Sequence, residues 1–432
     1  MMKMNPVLHV EILRRETSRP TVSVKELKES VQEEIYRLGK IKPGTCITQF
    51  SDRILVENVE QIQICDKDGE SSLHHEKLAD LQNEFLPRDV CLNFHVYRLN
   101  TEGVQLESMD SGDQSEEDQP VANHWILPSS DFRGLWESLV YDNNVKENLL
   151  SYMETTMLFS DCKVDTNIIT WNRLVLLHGP PGTGKTSLCK ALAHKLSIRM
   201  GHRYTHGQLV EINSHSLFSK FFSESGKLVG KMFTKIRELI EDTNALVFVL
   251  IDEVESLTRA RESSMSGAEP SDMIRAVNSV LTEIDQIRKF PNVMILSTSN
   301  ITGAIDGAFL DRADIKQYIG LPSYHAIFKI YLTCLKELIR VNLIVSSSQF
   351  DSLTFDRLRL ESNGEDSTHE SVQQLLALSR LSEGLSGRTL RRIPFLAHAL
   401  FVKSRTANLD SFLRAMESAV MQQKNESEYK PK

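Results

Sequence analysis

The spacing of apolar residues changes character along the chain. Residues 7–12 read as a strand, and Leu27, Val31, Ile35 and Leu38 then recur at helical spacing. Residues 56–65 and 90–99 return to strand character, the second with Val90, Leu92, Phe94 and Val96 alternating. From Leu174 onward, short apolar runs at 174–177, 209–212, 246–251 and 293–296 are separated by segments long enough for crossover helices. Such runs predict a parallel sheet covered on both faces. Beyond Pro322 the pattern is helical, without clear strands.

These changes divide the chain into four parts. Residues 1–100 predict a small α+β domain, and 121–321 a large α/β domain. Residues 322–432 predict a small helical domain. Residues 101–120 predict a linker, because the stretch from Glu107 to Asp118 carries six acids and no base. Low hydrophobicity with high charge does not offset the entropy of ordering a segment. Trp125, Trp136 and their apolar neighbours open the large domain; two readings apply, packing on its core or lining of a base-binding pocket.

Composition narrows the class. The chain has 432 residues, 41% hydrophobic and 25% charged, with a net charge of −8. An acidic balance disfavours direct nucleic-acid binding, which needs a basic patch. Cys46, Cys65, Cys91, Cys162, Cys189 and Cys334 lie far apart with no C-x-x-C pair, so neither a zinc site nor a disulfide framework is expected. His74, His75 and His95 stand apart from carboxylate and thiol partners in sequence. Apolar runs fall far short of the roughly 20 residues that span a bilayer, and Met1 to Glu11 lacks the apolar stretch of a signal peptide. The expectation is a soluble protein of the cytosol or nucleus.

One motif carries chemistry without help from its surroundings. Gly179-Pro180-Pro181-Gly182-Thr183-Gly184-Lys185-Thr186 fits G-x-x-x-x-G-K-[ST], between a predicted strand and a predicted helix. The glycines let the loop turn and aim its N–H groups inward, and the helix N-terminus adds partial positive charge. Lys185 is placed to reach the β- and γ-phosphates, and Thr186 to coordinate Mg²⁺. The apolar run 246–251 ends in Asp252-Glu253, two acids at the ligand-binding edge of the sheet. Asp252 is expected to hold Mg²⁺ through water, and Glu253 to deprotonate the attacking water. Asn300 follows the run 293–296 and is placed to orient that water. Glu255 receives no role. The cofactors expected are ATP and Mg²⁺.

The ordered set of phosphate loop, Asp252-Glu253, Asn300, Asp311-Arg312 and Gly387-Arg388 resembles an AAA+ ATPase. Longer strings narrow this further. Trp171-Asn172-Arg173, Glu211-Ile212-Asn213-Ser214-His215, Asn300-Ile301-Thr302, Asp311-Arg312-Ala313-Asp314-Ile315 and Glu383-Gly384-Leu385-Ser386-Gly387-Arg388 closely resemble the pachytene checkpoint protein 2 family, also called the thyroid-receptor-interacting AAA+ ATPase. The resemblance is strong over about 120–425; over 1–100 it is one of general organisation only.

That resemblance implies a hexameric ATPase that partly unfolds HORMA-domain proteins, converting closed, partner-bound forms to open ones. The setting it implies is spindle-checkpoint control and meiotic chromosome-axis regulation, in nucleus and cytosol, at meiotic chromosomes and mitotic kinetochores. The N-terminal domain would engage the client or an adaptor. Arg312 resembles a finger reaching a neighbouring subunit's γ-phosphate, and Arg388 an arginine contacting the phosphates of its own subunit. Phe221 and Phe222 resemble a substrate-gripping first pore loop, and residues 259–272 a second. Ser223 stands where many relatives have glycine, and Arg312 is a single arginine where many have two. A nucleic-acid-loading AAA+ ATPase is the alternative, and it would want a basic stripe that the chain lacks.

Overall fold

The computed structural model describes residues 6–16, 22–67, 84–107, 122–213, 225–257, 271–301, 305–345 and 367–428. The N-terminal unit comprises β1 (Val7–Arg14), α1 (Val24–Arg37), β2 (Cys46–Ile47), α2 (Arg53–Asn58), β3 (Val59–Lys67) and β4 (Cys91–Tyr97). The strand order is β2-β3-β1-β4, with β1 antiparallel to β3 and parallel to β4. Leu8, Val10 and Ile12 of β1 pack on Leu27, Val31 and Ile35, the helical stripe of α1. Residues 56–58, expected in a strand, instead finish α2. The Asp52 carboxylate caps that helix at the Ile54 N–H (2.9 Å), and the Asn58 amide bonds back to the Ile54 carbonyl (2.9 Å).

The large domain holds β5 (Gln105–Glu107), β6 (Ala122–Leu127), α3 (Leu135–Ser138), α4 (Val145–Asp161), β7 (Leu174–His178), α5 (Lys185–Arg199), β8 (His206–Asn213) and α6 (Ser225–Glu241). It continues with β9 (Ala245–Asp252), α7 (Ser271–Ile287), β10 (Val293–Ser299), α8 (Gly307–Leu310) and β11 (Ile315–Tyr318). Its strand order is β11-β7-β10-β9-β8-β6-β5. The five strands from β11 to β8 are parallel, and β6 and β5 add antiparallel at the edge. Gln105–Glu107 thus belongs to the sheet, although it falls within the stretch expected to be a linker. Residues 108–120 of that linker lie outside the described residues.

Alternation along the central strands fills both faces, as a parallel sheet requires. Val247, Val249 and Ile251 of β9 face one core with Phe233 of α6 and Ile284 of α7. Leu246, Phe248 and Leu250 face the other with Met153 of α4 and Leu192 of α5. Phe248 is fully buried, and its truncation to alanine is expected to cost about 3–5 kcal/mol. Trp125 and Phe132 of the segment that opens the domain pack in this second core.

The C-terminal unit is built from α9 (Tyr324–Arg340), β12 (Ile344–Val345), α10 (Ser367–Leu381), α11 (Gly387–Phe401), β13 (Ala407–Asn408) and α12 (Leu409–Glu428). Phe328 and Tyr331 of α9 pack against Leu375, Leu390, Phe412 and Met416 of the other three helices. The short parallel pair β12-β13 departs from the strand-free expectation. A two-residue strand leaves too little alternation to be read from sequence.

The N-terminal unit docks on α5. Lys195 Nζ of α5 donates to Glu11 Oε2 of β1 at 2.7 Å, and both side chains are buried. Arg199, one turn on, bonds Glu154 of α4 at 3.1 Å. This explains why α5 lacks an exposed polar face: sheet covers one side and the N-terminal domain the other. A cavity of about 350 Å³ remains at the seam, lined by Glu11, Tyr97, Trp136, His194 and Lys195 among others.

Candidate functional site

The phosphate loop joins β7 to α5 and needs its glycines. Gly179, Gly182 and Gly184 have φ of 144°, 77° and 91°, a region L side chains rarely adopt. A Cβ on Gly179 would come 2.1 Å from the Ile319 carbonyl oxygen, and one on Gly182 would come 2.7 Å from Ser386 Oγ. The loop is therefore packed from behind by β11's exit and by the lid, and its Gly179 N–H donates to the Ser299 carbonyl at 3.2 Å. Lys185 Nζ donates to the carbonyls of Gly179 (2.9 Å) and Pro180 (2.8 Å). Thr183 Oγ1 also donates to the Pro180 carbonyl at 3.0 Å. Burial lowers the Lys185 pKa, while Glu255, Asp252 and Glu253 oppose the shift.

The carboxylates arrive from the neighbouring strand. Thr186 Oγ1 donates to Asp252 Oδ1 at 2.9 Å, and Thr298 Oγ1 donates to the same oxygen. Thr298 Oγ1 in turn accepts the Glu253 backbone N–H at 3.2 Å. Glu253 has φ of 59°, a backbone position disfavoured for glutamate. Such strain persists where surrounding bonds over-determine it, and here it turns the side chain to meet the Asn300 amide, Nδ2 to Oε1 3.2 Å. The Asn300 backbone N–H donates to Glu255 Oε1 at 3.2 Å. Lys185, Thr186, Asp252, Glu253 and Asn300 thus converge, as the sequence led one to expect. Thr298, not singled out from sequence, and Glu255, given no role there, also bond into the cluster. Each lies two residues from an assigned one, and its own type gave no separate signal.

The lid closes the back of the loop. The Arg388 backbone N–H donates to the Gly182 carbonyl at 3.0 Å, and Ser386 caps α11 by accepting the Thr389 N–H. A pocket of about 260 Å³ opens beside Thr183 and Gly387, walled by Val140, Tyr141, Ile319 and Leu321. Its apolar walls next to the phosphate loop suit a purine base. Arg312 lies at the end of α8, where Asp285 holds its guanidinium at 3.0 Å from Nε and 2.7 Å from Nη2. Phe221, Phe222 and residues 258–270 lie outside the described residues.

Fit to a nucleotide follows from the Lys185 ammonium, which rests on loop carbonyls at the N-terminus of α5, where phosphate charge is favoured. Fit to a hard cation follows from the hydroxyl and carboxylate oxygens of Thr186 and Asp252.

Comparison with known proteins agrees with this geometry. Residues 175–321 match the model of the ATPase family associated with various cellular activities. Residues 3–102 match the TRIP13 N-terminal domain, and 323–424 the TRIP13-like AAA+ ATPase lid C-terminal domain. The Xenopus tropicalis pachytene checkpoint protein 2 homolog is 53% identical over 419 residues, covering 97% of this chain and 94% of that one. The Homo sapiens homolog is 51% identical over 420 residues with the same coverage. The solved C. elegans PCH-2 structure superposes with a TM-score of 0.75 at 35% identity, covering 97% of this chain and 99% of that one. A chain in the E. coli MS115-1 HORMA:CdnC:Trip13 complex shares the fold, with a TM-score of 0.50 at 17% identity over 68% of this chain and 94% of that one. With three family models in chain order, an ATP-binding cradle and relatives that match nearly end to end, the chain belongs to the pachytene checkpoint protein 2 family of AAA+ ATPases.

Proposed function

We propose that this protein is a homo-hexameric, ATP-driven remodeller that partly unfolds HORMA-domain proteins, converting closed forms to open ones. The observation that carries the reading is the run of hydrogen bonds from Thr186 through Asp252 and Thr298 to Glu253 and Asn300. It sets a base and an amide side by side at the sheet edge, in front of the phosphate loop. The family supports the client class, since a relative of the same fold is found in a complex with a HORMA protein.

Lys185 and the loop N–H groups bind the phosphates of ATP, exchanging the Gly179 and Pro180 carbonyls for a fully charged partner. Thr186 and Asp252 would hold Mg²⁺, which would offset phosphate charge. Glu253 Oε1 takes the proton of the attacking water, and the Asn300 amide orients that water. Arg388 reaches the phosphates of its own subunit from the lid. Arg312 serves the site of a neighbouring subunit, where a trans arginine stabilises transition-state charge. Phe221 and Phe222 grip the client in the ring's pore. The N-terminal domain presents the client or its adaptor. The protein works in nucleus and cytosol, on meiotic chromosomes and mitotic kinetochores, without direct nucleic-acid binding. No described helix is long and apolar enough to cross a membrane.

The test is capture. Glu253→Gln protein held in ATP should retain a HORMA-domain protein from extract, identified by mass spectrometry. Retention of other classes alone, with ATP bound, would sink the client assignment.

A further inference from the structure

We infer that Glu255 is a positioning residue for hydrolysis, anchoring the main chain of Asn300 so that the Asn300 amide stays on Glu253. The inference rests on the catalytic reading above and adds a residue to it. Glu255 is 5% exposed, at the first residue of the helical turn that follows β9. Its Oε1 accepts the Asn300 N–H at 3.2 Å. Its Oε2 is buried and, among the described residues, has no hydrogen-bond partner. A carboxylate buried with half its acceptor capacity unused lowers stability, because desolvation is not repaid. Its charge also supports the Lys185 ammonium against desolvation, so Glu255 has a charge role and an acceptor role that substitution must separate.

The geometry accounts for the acceptor role. Asn300 is the first residue past β10, where sheet pairing no longer fixes the backbone. Its side chain meets Glu253 only if its φ/ψ is held by something else. The Glu255 carboxylate supplies that hold from the helical turn two residues after Glu253. Base, amide and anchor thus form one closed unit: Glu253 to Asn300 Nδ2, then the Asn300 N–H to Glu255. Val254 ties the unit to the sheet, its N–H donating to the Thr298 carbonyl at 2.9 Å.

Acceptor reach and charge are separable by substitution. Glu255→Gln keeps an acceptor at the same distance and removes the charge. Glu255→Asp keeps the charge and withdraws the acceptor by one methylene. In the full-length protein, Glu255→Asp and Glu255→Ala should lower kcat by about ten- to a hundredfold, the cost of misplacing a reacting group by an ångström or so. Affinity for a fluorescent ATP analogue should stay unchanged, and Glu255→Gln should recover most of the rate. Glu255→Asp combined with Asn300→Ala should be no slower than Asn300→Ala alone, because both act at one point. The inference is overturned by a Gln variant as slow as Glu253→Gln, by an Asp variant at the wild-type rate, or by multiplicative losses with Asn300→Ala. Glu253→Gln, assayed alongside, separates the two readings. Normal turnover there removes the catalytic assignment itself. A slow Glu253→Gln beside a normal Glu255→Asp removes only the anchor.

Discussion

Glu11 Oε2 and Lys195 Nζ meet at 2.7 Å across the seam between the N-terminal and ATPase domains, with 3% and 5% of their side chains exposed. Burial pushes the Glu11 carboxyl up, but Lys195 and then Arg199 outweigh it and its pKa is lowered. Burial pulls Lys195 down, but Glu11 outweighs it and its pKa is raised. The pair is ionised. Glu11→Gln leaves a buried ammonium without its counter-charge and is expected to cost about 3–5 kcal/mol. Glu11→Leu with Lys195→Met should recover much of that, since an apolar pair avoids desolvation. Chemical denaturation measures both, and an unchanged midpoint for Glu11→Gln would show the pair to be energetically idle. The Glu11 contribution is complete above the unfolded glutamate pKa and is lost as pH falls through the folded value. The Lys195 contribution is complete below the unfolded lysine pKa and is lost as pH rises through the folded value.

Acid acts at the same seam through two histidines. Burial, then His9, lowers His95 to about 3, and burial lowers His194 to about 4. His95 Nε2 lies 2.8 Å from His9 Nδ1, so one nitrogen must accept. The unfolded chain binds protons at these residues near pH 6.5 while the folded chain does not. Stability should therefore fall steadily as pH drops from about 6.5 towards 4. His194→Gln should flatten that slope in thermal unfolding at stepped pH; an identical slope would locate the acid sensitivity elsewhere.

At the phosphate loop, Lys185→Ala is expected to abolish ATP binding by removing the point charge that faces the phosphates. Glu253→Gln should bind ATP and hydrolyse it about 10²–10⁴ times more slowly, the usual contribution of a general base. Turnover close to wild type would move the base to another residue.

Arg312→Ala should spare ATP binding and impair hydrolysis in the assembled ring. Subunits carrying Arg312→Ala mixed with subunits carrying Lys185→Ala should regain activity where an intact loop faces an intact arginine. Verified mixed rings with no recovery at any ratio would confine Arg312 to its ion pair with Asp285.

Phe221→Ala should leave basal ATP hydrolysis intact and stop conversion of a closed HORMA-domain client. Loss of grip of the order of 1–3 kcal/mol per subunit is expected from the missing apolar contact. A stable variant that converts its client at the wild-type rate would take Phe221 out of the mechanism.

What the sequence made legible follows the strength of local signals. Strand runs such as 246–251 are apolar without a break, so β9 and its terminal Asp252-Glu253 were readable. The phosphate loop was readable because its glycines and Lys185 have few other uses together. Residues 56–58 were misassigned because a capping carboxylate, Asp52, outweighed their strand propensity. Glu11 and Lys195 were missed although both interrupt apolar elements, because a charge buried by pairing looks in sequence like one that faces water. Glu255 was given no role for a similar reason: its partner is a backbone N–H, which leaves no mark on the sequence.

The bond from the Arg388 N–H to the Gly182 carbonyl makes the phosphate loop a fulcrum. α11 starts at that point and runs 15 residues to Phe401, a lever arm of roughly 22 Å. A tilt of about ten degrees about that base would swing its far tip by roughly 4 Å. Phe395 and Phe401 ride on that rod with 70% and 40% of their surface bare. Any tilt of the lid about the phosphate loop would thus carry Phe401 by about the dimension of a side chain.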